Sequence, residues 1–495
     1  MMRFLPPAML FLALFARVLA AVASTPTVAA PLNGQWKGPL KLLGGQINIV
    51  ITIVPLTNGT YYAALDAPQQ RISRMPVEVD LKGPDLKMRI EQAGSSFVGK
   101  VTDGGAKITG TWTQPGVKSP IILKRAASST QPAPKYKVTP PYRESEVSFL
   151  NPSTRKRLGG TLTVPAGEGP FAAAVLLSDS GPQSRDVEVS GYRMFGQLAD
   201  YLTRHGIAVL RFDDRGVGKS GGTYANATTA DLVTDAQAAL AYLRTRPLIA
   251  SSRTGLLGHG EGANVALLTA AGTGQPPAFV VSLAGYGQSG YEVLMRQQGE
   301  IMRLIGADPG QVKAAQDAYE RMVGIIRQTP DNAVARAKVA ALLNDINAGL
   351  DASMARARAV QLTSQWSRYF FDFDPQAQLS KVQCPVLLLN GTADLQVSAK
   401  RNMTPLSRAL HRAKRRVSTA RLDGVNHLFQ PPHTQWPMVN GVQQATFSPE
   451  ALKKINTWVA LTTKDPTTPA PPNGKQPAAA PTKVTKAAGV SRLRS

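Results

Sequence analysis

The chain has 495 residues, too long for one ordinary domain and enough for two or three. It is 43% hydrophobic, enough to bury a sizeable core, and its formal charge of +24 comes from 56 basic against 32 acidic groups. That charge is spread rather than striped, and no zinc-finger, RNA-recognition or basic-zipper pattern accompanies it. It therefore fits solubility and long-range attraction to polyanions, and excludes a specific nucleic-acid reader. The single cysteine, Cys384, rules out internal disulfides and opens the apolar run Cys-Pro-Val-Leu-Leu-Leu, where it reads as a small buried hydrophobe.

At the N-terminus, Arg3 precedes the apolar run Met9–Phe15, and Ala21-Val22-Ala23 offers small residues for a signal-peptidase cut before Ser24. The run is shorter than the roughly 20 apolar residues of a membrane span. Residues 1–23 are expected to be a signal peptide, the alternative being an N-terminal core helix. An exported chain without disulfides points to a bacterial periplasm or exterior.

Residues 32–125 read as a small all-β domain, a barrel or a sandwich. Gln46–Val54 alternates and is rich in isoleucine and valine; six further short strands follow, separated by turns such as Thr57-Asn58-Gly59 and Asp103-Gly104-Gly105. Gly34-Gln35-Trp36 recurs as Gly110-Thr111-Trp112, and these two strands are expected to pair and close the barrel. A packed accessory interior and a small-ligand or glycan site both remain open. Residues 126–142 form a Pro-rich linker. Residues 462–495, rich in Ala, Pro, Thr and Lys, are expected to be a disordered basic tail with weak attraction to anionic envelope polymers.

Between linker and tail, strands alternate with helical stretches, the mark of a mainly parallel sheet. Glu146–Leu150 and Gly160–Val164 suggest an antiparallel hairpin. Phe171–Leu177 and Ile207–Phe212 are apolar strands, and Tyr192–Arg204 and Ala230–Arg244 are helical. The stretch Thr254–Gly262 rises into a glycine-rich corner followed by the helical Ala263–Ala271, which is the strand–turn–helix frame of a nucleophile elbow. Later strands are Ala278–Leu283, Pro385–Leu389 and Arg416–Leu422, and a helix closes the domain at Pro449–Leu461. A mainly helical insertion over 288–368, with Leu294, Met295, Met302, Leu304 and Ile305, suits a cap over the site.

Four stretches carry a resemblance: Ser180-Gly181-Pro182-Gln183, Phe212–Ser220 with its Asp213-Asp214-Arg215-Gly216 core, Asn390–Val397, and Asn426-His427-Leu428-Phe429-Gln430. Each stands at a strand end. With them, residues 143–461 resemble an α/β-hydrolase, close to the bacterial secreted esterases of serine aminopeptidase-like fold, preceded by the β-domain. The resemblance implies a triad in the order nucleophile, acid, histidine. His427 would be the general base and Asp394 would orient it. The oxyanion hole would draw on the backbone N–H of Glu261 and one from Asp179 or Ser180. It implies neither cofactor nor metal, and a small ester or acyl compound as ligand.

Two positions depart from that pattern. The family's elbow reads Gly-His-Ser-Glu-Gly, whereas here the nucleophile position is Gly260. Asp179 stands where the family has glycine, and a carboxylate facing the oxyanion site would repel developing negative charge. The expectation is therefore an esterase whose hydrolytic activity is impaired or lost. The alternatives are a non-catalytic binder of an acyl, peptide or glycan ligand, and a hydrolase that uses a water activated by His427.

Overall fold

The structure is a computed structural model. It describes residues 32–464 except 43–44, 56–60, 68–71, 91–92, 115–116, 127–139, 190, 305, 347–351, 413–415 and 440. The signal peptide, the Thr57-Asn58-Gly59 turn, most of the linker and the tail from residue 465 onward lie outside the described residues.

Eight antiparallel strands form a closed barrel: β1 (Gly34–Leu42), β2 (Gly45–Pro55), β3 (Tyr61–Ala67), β4 (Ile72–Lys82), β5 (Asp85–Ile90), β6 (Ser95–Thr102), β7 (Lys107–Gln114) and β8 (Val117–Arg125). Alternation turns Ile49, Ile51 and Ile53 of β2, and Leu86, Met88 and Ile90 of β5, into the interior. The expected pairing of the two Gly-x-Trp strands does not occur. β1 closes the barrel on β8, with Trp36 opposite Arg125, while the strand bearing Trp112 is one place further in, between β6 and β8. The recurring motif marks two buried tryptophans, and such burial does not require the strands that carry them to be neighbours.

The second sheet has eight strands: β9 (Tyr142–Asn151), β10 (Lys156–Pro165), β11 (Phe171–Leu177), β14 (Ile207–Phe212), β15 (Ile249–His259), β16 (Val280–Leu283), β17 (Val386–Gly391) and β18 (Val417–Leu422). Two-residue strands β12 (Glu188–Val189) and β13 (Tyr192–Arg193) form a separate ribbon, as do β19 (Met438–Val439) and β20 (Val442–Gln443). The order across the large sheet is β18-β17-β16-β15-β11-β14-β10-β9. Only the β9–β10 hairpin and its join to β14 are antiparallel.

Helices cover both faces, because the central strands are apolar on both. In β14, Ile207 and Val209 face one core while Ala208, Leu210 and Phe212 face the other. The first face is covered by α1 (Met194–Arg204) and, after β18, α10 (Pro449–Thr462). The second takes α2 (Thr229–Arg244), α3 (Glu261–Ala271) and α9 (Ala399–Arg412), the last unforeseen from the sequence. A capping box between Thr228 and Asp231 starts α2, and Ser448 caps α10 ahead of Pro449.

Among the described residues, five helices form the cap between β16 and β17: α4 (Gly290–Leu304), α5 (Pro309–Gln328), α6 (Asn332–Ile346), α7 (Ala352–Leu362) and α8 (Gln365–Phe371). The cap also touches the barrel. Ile301 of α4 joins the barrel's core, and Arg358 of α7 pairs with Glu78 of β4 at 3.2 Å. Barrel, cap and sheet therefore meet around one place, the C-terminal ends of β11 and β15.

Candidate active site

β15 lies between β11 and β16, in the middle of the sheet, and turns at Gly260 into α3. The turn is tight enough that two flanking glycines have no room for a side chain. A Cβ on Gly258 would meet the Gly262 carbonyl oxygen at 2.0 Å, and one on Gly262 would meet those of Leu177 and Ser178 at 2.3 Å. Gly260 has φ 53° and ψ −118°, a conformation that costs any other residue about 1–3 kcal/mol. The backbone therefore keeps the strained geometry of a nucleophile mount with no nucleophile on it.

His427 follows β18 and is 1% exposed. Its Nδ1 lies 2.8 Å from Asp394 Oδ2, and Asp394 Oδ1 in turn accepts from the N–H groups of Gln396 and Val397. The acid and the base expected from the sequence are thus brought together. The other nitrogen, Nε2, points to the place a nucleophile would occupy. There it meets Asp179 Oδ2 at 2.9 Å.

Asp179, at the end of β11, was expected to lend a backbone N–H to the oxyanion hole. Its side chain instead fills that hole. Oδ1 accepts from the backbone N–H of Glu261 at 2.7 Å and from the Tyr286 hydroxyl at 3.2 Å. A Cβ built on Gly260 would fall 1.9 Å from the same oxygen. The carboxylate occupies both the nucleophile's space and the seat of the oxyanion. Ser180 lines the cavity beside Asp179, its Oγ 3.3 Å from Tyr286 Oη, and Ser178 donates to both oxygens of Asp214.

A histidine between two carboxylates must offer a hydrogen to each, so His427 is an imidazolium. Burial alone would discharge it, but the charges of Asp394 and Asp179 push it from 6.5 up to about 10. Burial would likewise raise Asp179; hydrogen bonding to His427 and the positive charge there hold it below the usual carboxylate range. His259, stacked 4.6 Å from His427, goes the other way, down to about 4, through burial and the neighbouring positive charge. Its Nε2 lies 2.8 Å from the His427 carbonyl oxygen, which can only accept, so this nitrogen carries the hydrogen and leaves a buried Nδ1 with no hydrogen-bond partner among the described residues. Donor atoms of Asp179, His259 and His427 lie within 4.8 Å of one another. They would form a metal-binding set only if His427 gave up the Nε2 proton that it offers to Asp179.

Glu261, the expected oxyanion donor, has a fully buried side chain that accepts from Thr229 at 2.6 Å and from Trp366 Nε1 at 3.0 and 3.1 Å. Burial raises its carboxyl above the ordinary value. Tyr286 and Trp366 were not anticipated. Tyr286 sits just past the end of β16, a position at which strand-end logic points to a site residue; Trp366 comes from the cap and had no such signal. The loop after β14 is structural: Asp213 pairs with Arg185 at 2.7 Å and Arg215 with Asp235 at 2.7 Å. Asp214 is pushed up to about 8 by burial.

A cavity of about 220 Å³ opens beside Asp179. Tyr62 and Met75 of the barrel form part of its wall, Leu294 and Ile301 of α4 another, and Trp366 and Phe370 of α8 a third. The wall is largely apolar, as small-ligand sites generally are.

The family model for the serine aminopeptidases, S33, matches residues 189–307. Esterase EstD of Thermotoga maritima is 22% identical over 383 residues, covering 77% of this chain and 82% of that protein. Among solved structures, the Pyrococcus furiosus esterase Pf2001 is similar with 16% identity and a TM-score of 0.41, over 65% of this chain and 91% of that one. The α/β-hydrolase GrgF from Penicillium sp. sh18 is similar with 15% identity and a TM-score of 0.42, over 65% and 99%. The sheet order and the elbow give the chain an α/β-hydrolase fold, and the proteins it resembles are serine aminopeptidase-like and esterase members of that fold.

Proposed function

We propose that the protein is an exported α/β-hydrolase of esterase descent that holds a small ester or acyl ligand in the apolar cavity but does not run serine acyl-enzyme chemistry. The single observation that carries this is the Asp179 carboxylate, seated on the Glu261 N–H and His427 Nε2 where a serine and its oxyanion would be. An acyl group cannot be attacked by a side chain that Gly260 lacks. A tetrahedral oxyanion would also have to displace an existing anion from its donor. Attack by a water that His427 activates is opposed by the same contact, since an imidazolium is not a base.

Arg3, the apolar run and the Ala-x-Ala support export, and the net positive tail supports weak attraction to anionic envelope polymers. N-terminal sequencing of the protein from its native host should begin at Ser24; an intact Met1 would sink the export reading.

The test of function uses short-chain nitrophenyl esters and a fluorophosphonate probe on the full chain. The expected outcome is turnover near the uncatalysed rate, no covalent labelling, and a melting temperature raised by short acyl esters or acids. Rapid ester turnover with labelling of a serine would refute it.

A further inference from the structure

We propose that Asp179 is itself a nucleophile, and that the site hydrolyses small apolar compounds bearing a leaving group on a saturated carbon. This rests on the ligand-binding reading above, since it uses the same cavity. A carboxylate needs no base to become nucleophilic. Asp179 is placed against the cavity, paired with the histidine and seated on the backbone donor that a nucleophile of this fold would use.

The class of reaction follows from where the donors are spent. Attack on an ester carbonyl places negative charge on the substrate oxygen, which needs the Glu261 N–H, and the nucleophile already occupies it. Displacement at a saturated carbon makes no such oxyanion; its charge develops on the leaving group alone. Once alkylated, Asp179 is an ester, with its carbonyl oxygen at the Glu261 N–H and the Tyr286 hydroxyl. The two donors then serve the second step.

In the first step an Asp179 oxygen forms a bond to the substrate carbon. The carbon–leaving-group bond breaks, and the leaving group departs with its electron pair. Asp179 is then neutral and no longer holds the proton on His427 Nε2, which passes to solvent with the departing anion. In the second step the neutral His427 takes a proton from water, and the water oxygen attacks Asp179 Cγ. The oxyanion rests on Glu261 and Tyr286, then collapses; the Cγ–O(alkyl) bond breaks, and the alkoxide leaves as an alcohol with the proton from His427. The newly formed carboxyl passes its own proton to His427, which is an imidazolium again, and Asp179 is a carboxylate carrying one oxygen from water. The net change is an alkyl compound plus water giving an alcohol plus the protonated leaving group.

The experiment incubates the full chain with bromohexane in heavy-oxygen water and maps peptides by mass. Wild type is expected to release bromide and to gain one heavy oxygen on Asp179 only when the substrate is present. His427→Gln is expected to accumulate one hexyl group on Asp179. Asp179→Asn is expected to lower bromide release by about a thousandfold or more. Bromide release without heavy oxygen on Asp179, or alkylation only elsewhere, overturns the proposal. So does a rise in melting temperature with bromohexane but no bromide release, an outcome that leaves the ligand-binding reading standing. If His427→Gln does not fold, the heavy-oxygen result on wild type decides alone.

Discussion

The Asp179 carboxylate stands in the space that a side chain on Gly260 would enter, 1.9 Å from where its Cβ would be. The two departures from the family pattern are therefore one structural fact. An anion at 179 is compatible only with a bare backbone at 260, and the empty elbow leaves room for that anion.

The simplest repair, Gly260→Ser, should consequently fail. Its hydroxyl would have to expel Asp179 from the Glu261 N–H, and its backbone would carry the strain that glycine avoids. The expected outcome is a protein destabilised by about 1–3 kcal/mol with no gain in ester turnover. Adding Asp179→Gly should restore hydrolysis of nitrophenyl esters by about a thousandfold or more over either single variant. Rates and fluorophosphonate labelling of the three variants check this, and restoration by Gly260→Ser alone would refute the coupling.

Removing Asp179 alone should also cost stability. Asp179→Ala leaves the Glu261 N–H without its acceptor and one face of the His427 imidazolium uncompensated in a buried site. Breaking a buried pair in this way typically costs about 3–5 kcal/mol. Urea denaturation near pH 7 measures the loss, and a change below about 1 kcal/mol would mean that the contact is energetically idle.

The two histidines set opposite limbs of the pH dependence. His427 goes from 6.5 to about 10, so between those values the folded chain holds a proton that the unfolded chain releases, and its contribution fades as pH rises. His259 goes from 6.5 to about 4, so across that window the unfolded chain binds a proton that the folded one refuses, and stability falls as pH falls. Asp179 is depressed, so its contribution is present above its ordinary value of 3.8 and is lost as pH falls below it. Asp179→Asn should flatten the alkaline limb, and His259→Asn the acid limb. Stability against pH for each variant relative to wild type checks both.

Trp366 ties the cap to the elbow: its ring stacks on Phe370 at 4.7 Å and its Nε1 donates to both oxygens of Glu261. Trp366→Ala should enlarge the cavity, destabilise the protein by about 2–4 kcal/mol, and shift ligand preference toward longer chains. Melting-temperature shifts across a series of straight-chain acids report the preference. An unchanged series would mean that Trp366 does not bound the ligand.

Much of this molecule is legible in its residues because the signals are local. Alternating isoleucines make β2, continuous apolar runs make the central strands, and the glycine spacing around Gly260 makes the elbow. Each depends on one element and its period. The pairing of His427 with Asp394 was also foreseeable, because strand ends of a parallel sheet gather on one edge and bring residues 33 apart in sequence together. The barrel's closing pair was misjudged for the converse reason. Which strand meets β1 depends on the strand count and register of the whole barrel, which no single motif encodes.

The sequence alone indicated an α/β-hydrolase scaffold, with Asp394 and His427 expected as acid and base and with Gly260 where the resemblance puts a serine. It also singled out Asp179 as foreign to an oxyanion loop. Which way that carboxylate faces is decided only in three dimensions, where β11 and β15 run side by side and α3 presents the Glu261 N–H. The Glu261 N–H and the His427 charge then fix it in the vacant seat, against the cost of burial. An anion expected to hinder the site is the group around which its hydrogen bonds are arranged.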